Sequence, residues 1–168
     1  KLMSAILFID LQKAFDSVVH KILIGKLKKL RLPSKFLDLF ISYFEERTQY
    51  VQIEDAISSK ISIDAGVFQG SKLAACLFIL YINNVFSLPL HGKIILYADD
   101  IAIVYGAKDP ADLKRQIEED LILLNCWLEN HFLKMNLKKT KVMFFQGSAH
   151  LSSFVTDNLN ISLNGSKI

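Results

Sequence analysis

Cysteine is scarce in this 168-residue chain, and the two it has, Cys76 and Cys126, lie in apolar, helix-like surroundings. Two such thiols suit buried thiols in a reducing compartment far better than a disulfide framework or a zinc site. The four histidines, His20, His91, His131 and His150, are scattered without ligand spacing. No apolar run reaches the roughly 18 residues of a membrane span, and the N-terminal apolar stretch lacks the layout of a signal peptide. Internal repeats, low-complexity tracts and a clear linker are also missing, so the chain reads as one domain. Neither sign of charge dominates: 20 Lys and Arg against 17 Asp and Glu leave +3, which permits a nucleic-acid partner without requiring one. Two basic clusters, Lys26/Lys28/Lys29/Arg31 and Lys134/Lys138/Lys139/Lys141, read most simply as a solvated helix face and a strand end.

What the chain does have is apolar substance. Hydrophobic residues make up 51% of it and the mean hydropathy is +0.29, enough to bury a sizeable core. It opens at Lys1 with an apolar run and reads as a piece cut from a longer protein. Leu2 to Ile9 has the pattern of a buried strand ending at Asp10. Ser17 to Leu30 predicts a helix with Val18, Ile22, Leu23 and Leu27 on one side, stopped by Pro33. A second, aromatic-rich helix is expected over Lys35 to Glu46, then a hairpin pairing Gln49 to Ile53 with Lys60 to Asp64. Ser71 can cap an apolar helix reaching about Phe86, and Asp109-Pro110 is a cap and first-turn pair for a helix carrying Leu113, Ile117, Leu121, Leu124 and Leu128. Val142 to Phe145 is a last strand. With residues from about 31 to 64 set aside as an insert, the order is strand, helix, strand, strand, helix, strand, the ferredoxin-like βαββαβ order of an α+β fold.

The segment KIILYADDIAIVYG, Lys93 to Gly106, breaks a local rule. Its two apolar runs form a hairpin, yet the tip is Ala98-Asp99-Asp100, where a tight turn asks for Asn-Gly or Asp-Gly. In the βαββαβ order the first strand lies beside this hairpin, so Asp10 is expected to meet Asp99 and Asp100. Three carboxylates there repel one another unless a cation neutralises them. Mg²⁺ takes hard oxygen ligands, and two such ions about 3.5 to 4 Å apart serve phosphoryl and nucleotidyl transfer.

Four blocks carry a resemblance: LFIDLQKAFD (Leu7 to Asp16), GVFQGSKL (Gly66 to Leu73), the Tyr-Ala-Asp-Asp at Tyr97 to Asp100, and LKMNLKKTKVMFF (Leu133 to Phe145). In order and spacing they resemble the palm of reverse transcriptases of non-LTR (LINE-like) retrotransposons, over about Ala5 to Phe145. The resemblance implies a single partial reverse transcriptase domain over 1–168, truncated at both ends. Residues 1–30 and 65–150 would be palm, about 31–64 a fingers-like insert, and 151–168 the start of the primer-grip strands. It also implies RNA-directed DNA polymerase chemistry with RNA template, DNA primer and dNTP as partners, no membrane, and two Mg²⁺ ions, with Mn²⁺ as a substitute.

By position, Asp10, Asp99 and Asp100 resemble the catalytic, metal-holding aspartates. Lys139 resembles the lysine placed to protonate or neutralise the pyrophosphate leaving group. Phe15 matches the residue that packs under the incoming sugar and excludes a 2′-hydroxyl, while Asp16 reads as the N-cap of the following helix. Gln69 and Gly70 match the nucleotide-pocket loop, and Arg47, Tyr50 and Gln52 fall in the fingers-like part with template contact in reach. An intracellular location, the nucleus in particular, goes with the family.

Two departures stand out. Phe68 replaces the family's usual Pro, freeing the backbone beside Gln69 with nothing evident in return, and Ala74-Ala75 replaces its usual Gly-Pro. These changes, with the absent fingers strands and thumb, leave a competing reading: a catalytically silent remnant that at most binds nucleic acid. On either reading the fragment alone is expected not to extend a primer.

Overall fold

The computed structural model describes residues 3–68, 70–145 and 160–168. In chain order the elements begin with strands β1 (Met3–Ile9) and β2 (Leu11–Gln12), a 3-10 turn (Phe15–Ser17), and helices α1 (His20–Lys29) and α2 (Ser34–Phe44). Short strands β3 (Thr48–Gln49), β4 (Gln52–Ile53), β5 (Ala56–Ile57) and β6 (Ile61–Ser62) follow, then helix α3 (Ala74–Ile82) and a 3-10 segment (Asn83–Ser87). The chain continues through the hairpin β7 (Lys93–Tyr97) and β8 (Asp100–Ala107), helix α4 (Pro110–Asn130), β9 (Lys134–Met135), β10 (Lys141–Phe145), β11 (Ser162–Leu163) and β12 (Ser166–Lys167). These elements make two compact units, one from Lys1–Ala14 with Asn83–Ile168 and the other from Phe15–Ile82.

In the first unit four strands form one antiparallel sheet in the order β10-β1-β8-β7, so β1 does lie beside the hairpin. Strict alternation builds it. Ala5, Leu7 and Ile9 of β1 and Ile101, Ile103 and Tyr105 of β8 are buried on one face, where α4 contributes Leu113, Ile117, Leu121, Leu124 and Leu128. Each fully buried Leu or Ile on α4 contributes about 1.5–3 kcal/mol. Asp109 caps α4 as its sequence predicts, its carboxylate accepting from the Asp112 N–H at 3.2 Å with Pro110 in the first turn. Among the described residues the opposite sheet face leaves Phe8, Ile95, Tyr97, Met143 and Phe145 exposed.

Behind the hairpin, Asp120 of α4 is buried and accepts from the main-chain N–H groups of His91 and Gly92, both at 3.0 Å, which ties down the entry to β7. Gly92 has to be glycine, because a Cβ there would stand 2.4 Å from Ile103 Cγ2. The β11–β12 hairpin turns through Asn164 and Gly165, both at positive φ, and rests on α4 through buried Ile161 and Leu163 and the Glu118 carboxylate, which accepts from the Ser162 N–H at 3.1 Å.

In the second unit α1 packs on α2 and α3 through Leu23, Leu27, Phe44, Leu77, Phe78 and Tyr81. Several expectations are corrected here. The N-cap of α1 is Val19, with no side-chain cap, and Asp16 lies in the 3-10 turn, because two further residues are spent on the Val19–Ala65 bridge before the helix begins. The expected single hairpin is two short ribbons, β3–β6 and β4–β5, since Tyr50-Val51 interrupt the first ladder. Cys76 and Cys126 are exposed, each on the outer side of its helix. No helix among the described residues is long and apolar enough to cross a membrane.

Candidate active site

Asp10 stands where two antiparallel ladders meet. In the β1–β8 ladder Ile9 faces Ile101, and the register carried one residue further sets Asp10 opposite Asp100. In the β2–β9 ladder Leu11 faces Met135, which sets Asp10 opposite Asn136. Both contacts are thus fixed by backbone pairing before any side chain is considered.

Asn136 acts on this carboxylate directly. Its Nδ2 donates to Asp10 Oδ2 at 2.9 Å and its main-chain N–H donates to the Asp10 carbonyl at 2.8 Å. The Asn136 carbonyl in turn accepts from the Lys139 N–H at 3.0 Å, the Thr140 N–H at 2.9 Å and the Thr140 hydroxyl at 3.0 Å, which curls 136–140 into a compact turn. This turn brings Lys139 Nζ to 3.8 Å from Asp10 Oδ2. The lysine side chain is 70% exposed, so the pair is loose, of the kind worth about 0–1 kcal/mol, and its ammonium remains accessible to an anion. Asn136 is a site residue that the sequence reading passed over. It lay within the quoted block, but nothing local distinguishes it from a turn asparagine.

At the hairpin tip Tyr97 pairs with Asp100 across the two-residue turn Ala98-Asp99. Ala98 takes φ 53° while Asp99 does not enter positive φ, the sign pattern of a type II′ turn, in which glycine is favoured at the first central position. The break with the local rule therefore falls on Ala98 rather than on the aspartates, and a non-glycine residue there stores strain of about 1–3 kcal/mol.

Asp10, Asp100 and Lys139 line one cavity of about 510 Å³ at this end of the sheet, floored by Phe8, Ile95, Tyr97 and Ala102. Asp99, half-buried at the turn, is outside that lining, and among the described residues no three His, Cys, Asp or Glu side chains are grouped to hold a metal ion. Two carboxylates in a cavity open to solvent nonetheless match what Mg²⁺ requires of a protein, one or two carboxylates with the remaining oxygens from waters or phosphates. The donor set fits a hard divalent cation.

The residues expected to shape a nucleotide pocket belong to the second unit. Phe15 is half-buried, its ring tilted against Phe78 at 4.9 Å between centroids, and its carbonyl accepts from the Val67 N–H at 3.0 Å. That bond and the 2.8 Å bond from the Gly66 N–H to the Val18 carbonyl lash the start of the loop to the 3-10 turn. Gly66 has φ 97°, a backbone conformation that strains any residue with a Cβ, although the Asp16 main chain is no nearer than ordinary contact at 3.4 Å from where that Cβ would lie. Gly70 is exposed at φ 82°, and Gln69 lies outside the described residues. Arg47, Tyr50 and Gln52 are exposed.

A sheet of this order with a carboxylate-lined cavity at its end defines an α+β protein with a candidate site for a divalent cation. The profile of the family described as reverse transcriptase (RNA-dependent DNA polymerase) matches residues 2–162, and the chain belongs to that family. Among its relatives is the protein named "Probable RNA-directed DNA polymerase from transposon BS" of Drosophila melanogaster, 35% identical over 140 residues, covering 79% of this chain and 15% of that protein. The RNA-directed DNA polymerase from mobile element jockey of the same fly is 33% identical over 142 residues, again 79% and 15%. These place the chain with the LINE-like reverse transcriptases, of which it spans about one sixth of the length. Apo telomerase from Candida tropicalis, truncated of its C-terminal domain, has the same fold over 88% of this chain and 32% of that one, with TM-score 0.66 at 17% identity. Telomerase from Candida albicans, solved with a fragment of telomeric RNA, gives TM-score 0.64 at 18% identity over 83% and 28%.

Proposed function

We propose that this chain is the palm, with part of the fingers, of an RNA-directed DNA polymerase that adds deoxynucleotides to a DNA primer on an RNA template inside the cell, in the nucleus. On this reading residues 1–30 and 65–150 are palm in the ferredoxin-like order, about 31–64 are a fingers-like insert, and 151–168 begin the primer grip. Of this last stretch, residues 151–159 lie outside the described residues. The observation that carries the reading is the convergence of Asp10, Asp100 and Lys139 on one cavity, with Asn136 fixing the Asp10 carboxylate.

In this reaction the primer 3′-hydroxyl attacks the α-phosphate of a dNTP and pyrophosphate leaves. Two divalent cations, Mg²⁺ or in its place Mn²⁺, would supply charge stabilisation for the attacking and leaving oxygens. Asp10 and Asp100, which share the cavity, would hold them, with Asp99 at the adjoining turn as the third carboxylate that the resemblance names. Asn136 keeps the Asp10 carboxylate aimed. The accessible Lys139 ammonium neutralises or protonates the departing pyrophosphate. Phe15 sets the floor for a 2′-deoxy sugar, and the loop at Gln69 and Gly70 presents amides to base and sugar.

The test is primer extension on an RNA template by the full-length protein, wild type against Asp10→Asn and Asp100→Asn. Metal-dependent incorporation that both substitutions abolish supports the reading. A wild-type protein that binds template and primer without incorporating nucleotide identifies a silent remnant instead.

A further inference from the structure

Phe68, the residue standing in place of the family's usual proline, is far from idle. Its ring is half-buried, meets the Tyr43 ring edge-on at 4.9 Å and 71°, and lies 6.3 Å from the buried Phe44. Above it sits Arg47, whose guanidinium carbon is 4.9 Å from the Phe68 centroid and 5.7 Å from that of Tyr43, both within cation–π range. Arg47 is itself held, because its Nε donates to the Tyr43 carbonyl at 2.9 Å at the C-terminal end of α2. From the other side His20, tilted against Phe44 at 4.3 Å, uses its Nε2 to hold the Gly66 carbonyl at 2.7 Å. The loop is gripped at Gly66 by a hydrogen bond and at Phe68 by a planar cation stacked on two rings.

We propose that Arg47 and Phe68 are positioning residues for the nucleotide loop, doing through a cation–aromatic stack what a proline at position 68 does by fixing its own φ. The inference rests on the polymerase reading for the identity of the ligand, the incoming dNTP, but the clamp itself stands on the geometry. An exposed Arg47 in this part of the chain also invites a role in gripping template phosphate. The stack argues against that as its main task, because the guanidinium face is committed to the rings and its Nε to the Tyr43 carbonyl.

The test uses the full-length protein in four variants: Arg47→Gln, Phe68→Ala, Phe68→Tyr and Phe68→Pro. Amide hydrogen exchange is followed at Val67 and Ser71, whose N–H groups bond the Phe15 and Phe68 carbonyls, together with equilibrium dNTP binding and the KM and kcat for dNTP on a primed RNA template. Arg47→Gln and Phe68→Ala are expected to speed exchange in the loop by about two- to five-fold, the factor equivalent to one surface cation–π contact. They should raise the dNTP KM by a similar factor and leave kcat and template affinity near wild type. Phe68→Tyr keeps the ring and should match wild type, and Phe68→Pro should restore slow exchange without the stack. Unchanged exchange in both Arg47→Gln and Phe68→Ala overturns the clamp. Faster exchange with an unmoved dNTP KM, or a loss confined to template affinity, overturns the positioning role. A wild-type protein that binds no dNTP sinks the polymerase reading and with it the ligand assignment, while the exchange comparison still decides whether the stack holds the loop.

Discussion

Asn136 binds Asp10 twice, side chain to carboxylate at 2.9 Å and main-chain N–H to carbonyl at 2.8 Å, across 126 positions of sequence. The second bond fixes where the residue is and the first fixes which way its carboxylate points. If this carboxylate holds a cation as proposed, it is oriented before the cation arrives, and rotamer freedom need not be lost at that moment.

Replacing Asn136 by Ala keeps the turn's main chain and removes the side-chain donor. In the full-length protein we expect primer extension to fall about 10- to 100-fold and the metal concentration for half-maximal rate to rise, as for other residues that orient metal-holding carboxylates. Metal titrations of the extension rate decide it. An unchanged metal requirement would make Asn136 a fold residue only.

Phe15→Ala separates two roles for one ring. Its partner Phe78 is fully buried, but Phe15 is only half so, and its truncation should cost less than the roughly 3–5 kcal/mol of a fully buried phenylalanine. The full-length variant should retain dNTP incorporation and gain ribonucleotide incorporation, read as the ratio of kcat/KM for dNTP over rNTP. A ratio that stays fixed while both rates fall assigns the ring to packing.

Ala98→Gly relieves the positive φ at the hairpin tip. Relief of about 1–2 kcal/mol of left-handed strain exceeds the roughly 0.4–1 kcal/mol that glycine adds to the unfolded chain's freedom, so the denaturation midpoint should rise slightly. Incorporation by the full-length variant should drop, because a tip free to relax no longer holds the aspartates rigidly. A variant both less stable and fully active contradicts this.

Alkaline stability has a named source. Tyr105 is buried and has its pKa pushed far above the usual tyrosine range, first by burial and then by the Asp120 carboxylate, and Tyr81 is raised in the same direction by burial. Above about pH 10 the unfolded chain loses these protons while the fold retains them, so the unfolded state binds fewer protons and stability falls as pH rises. For Tyr105 the slope approaches about 1.4 kcal/mol per pH unit above pH 10 and fades away over roughly one unit below it. Urea denaturation of the chain at pH 9 to 11 should show this loss, and Tyr105→Phe should flatten it.

Legibility in the sequence followed the reach of each interaction. β1, the hairpin and α4 announce themselves through periods of two and 3.6, and the Asp109-Pro110 cap is complete within four residues. Asp10 and the Asp99-Asp100 pair stood out because carboxylates interrupt apolar runs. Asn136 did not, since its meaning comes from a ladder register joining opposite ends of the chain. Phe68 was misjudged for the same reason: its partners Tyr43 and Arg47 lie more than 20 positions upstream, and the proline it replaces acts alone. The start of α1 shifted past Asp16 because tertiary pairing at Val19 overrode a local capping preference.

Both thiols of the chain are exposed, and they fall one to a unit, Cys76 on α3 within Phe15–Ile82 and Cys126 on α4 within Asn83–Ile168. The molecule therefore carries its own pair of reporter sites: maleimide dyes or nitroxide labels attach at two places without any engineered substitution, and neither place touches the Asp10 cavity. A distance read between them, with and without nucleic acid and nucleotide, would report whether the two units change their separation on binding.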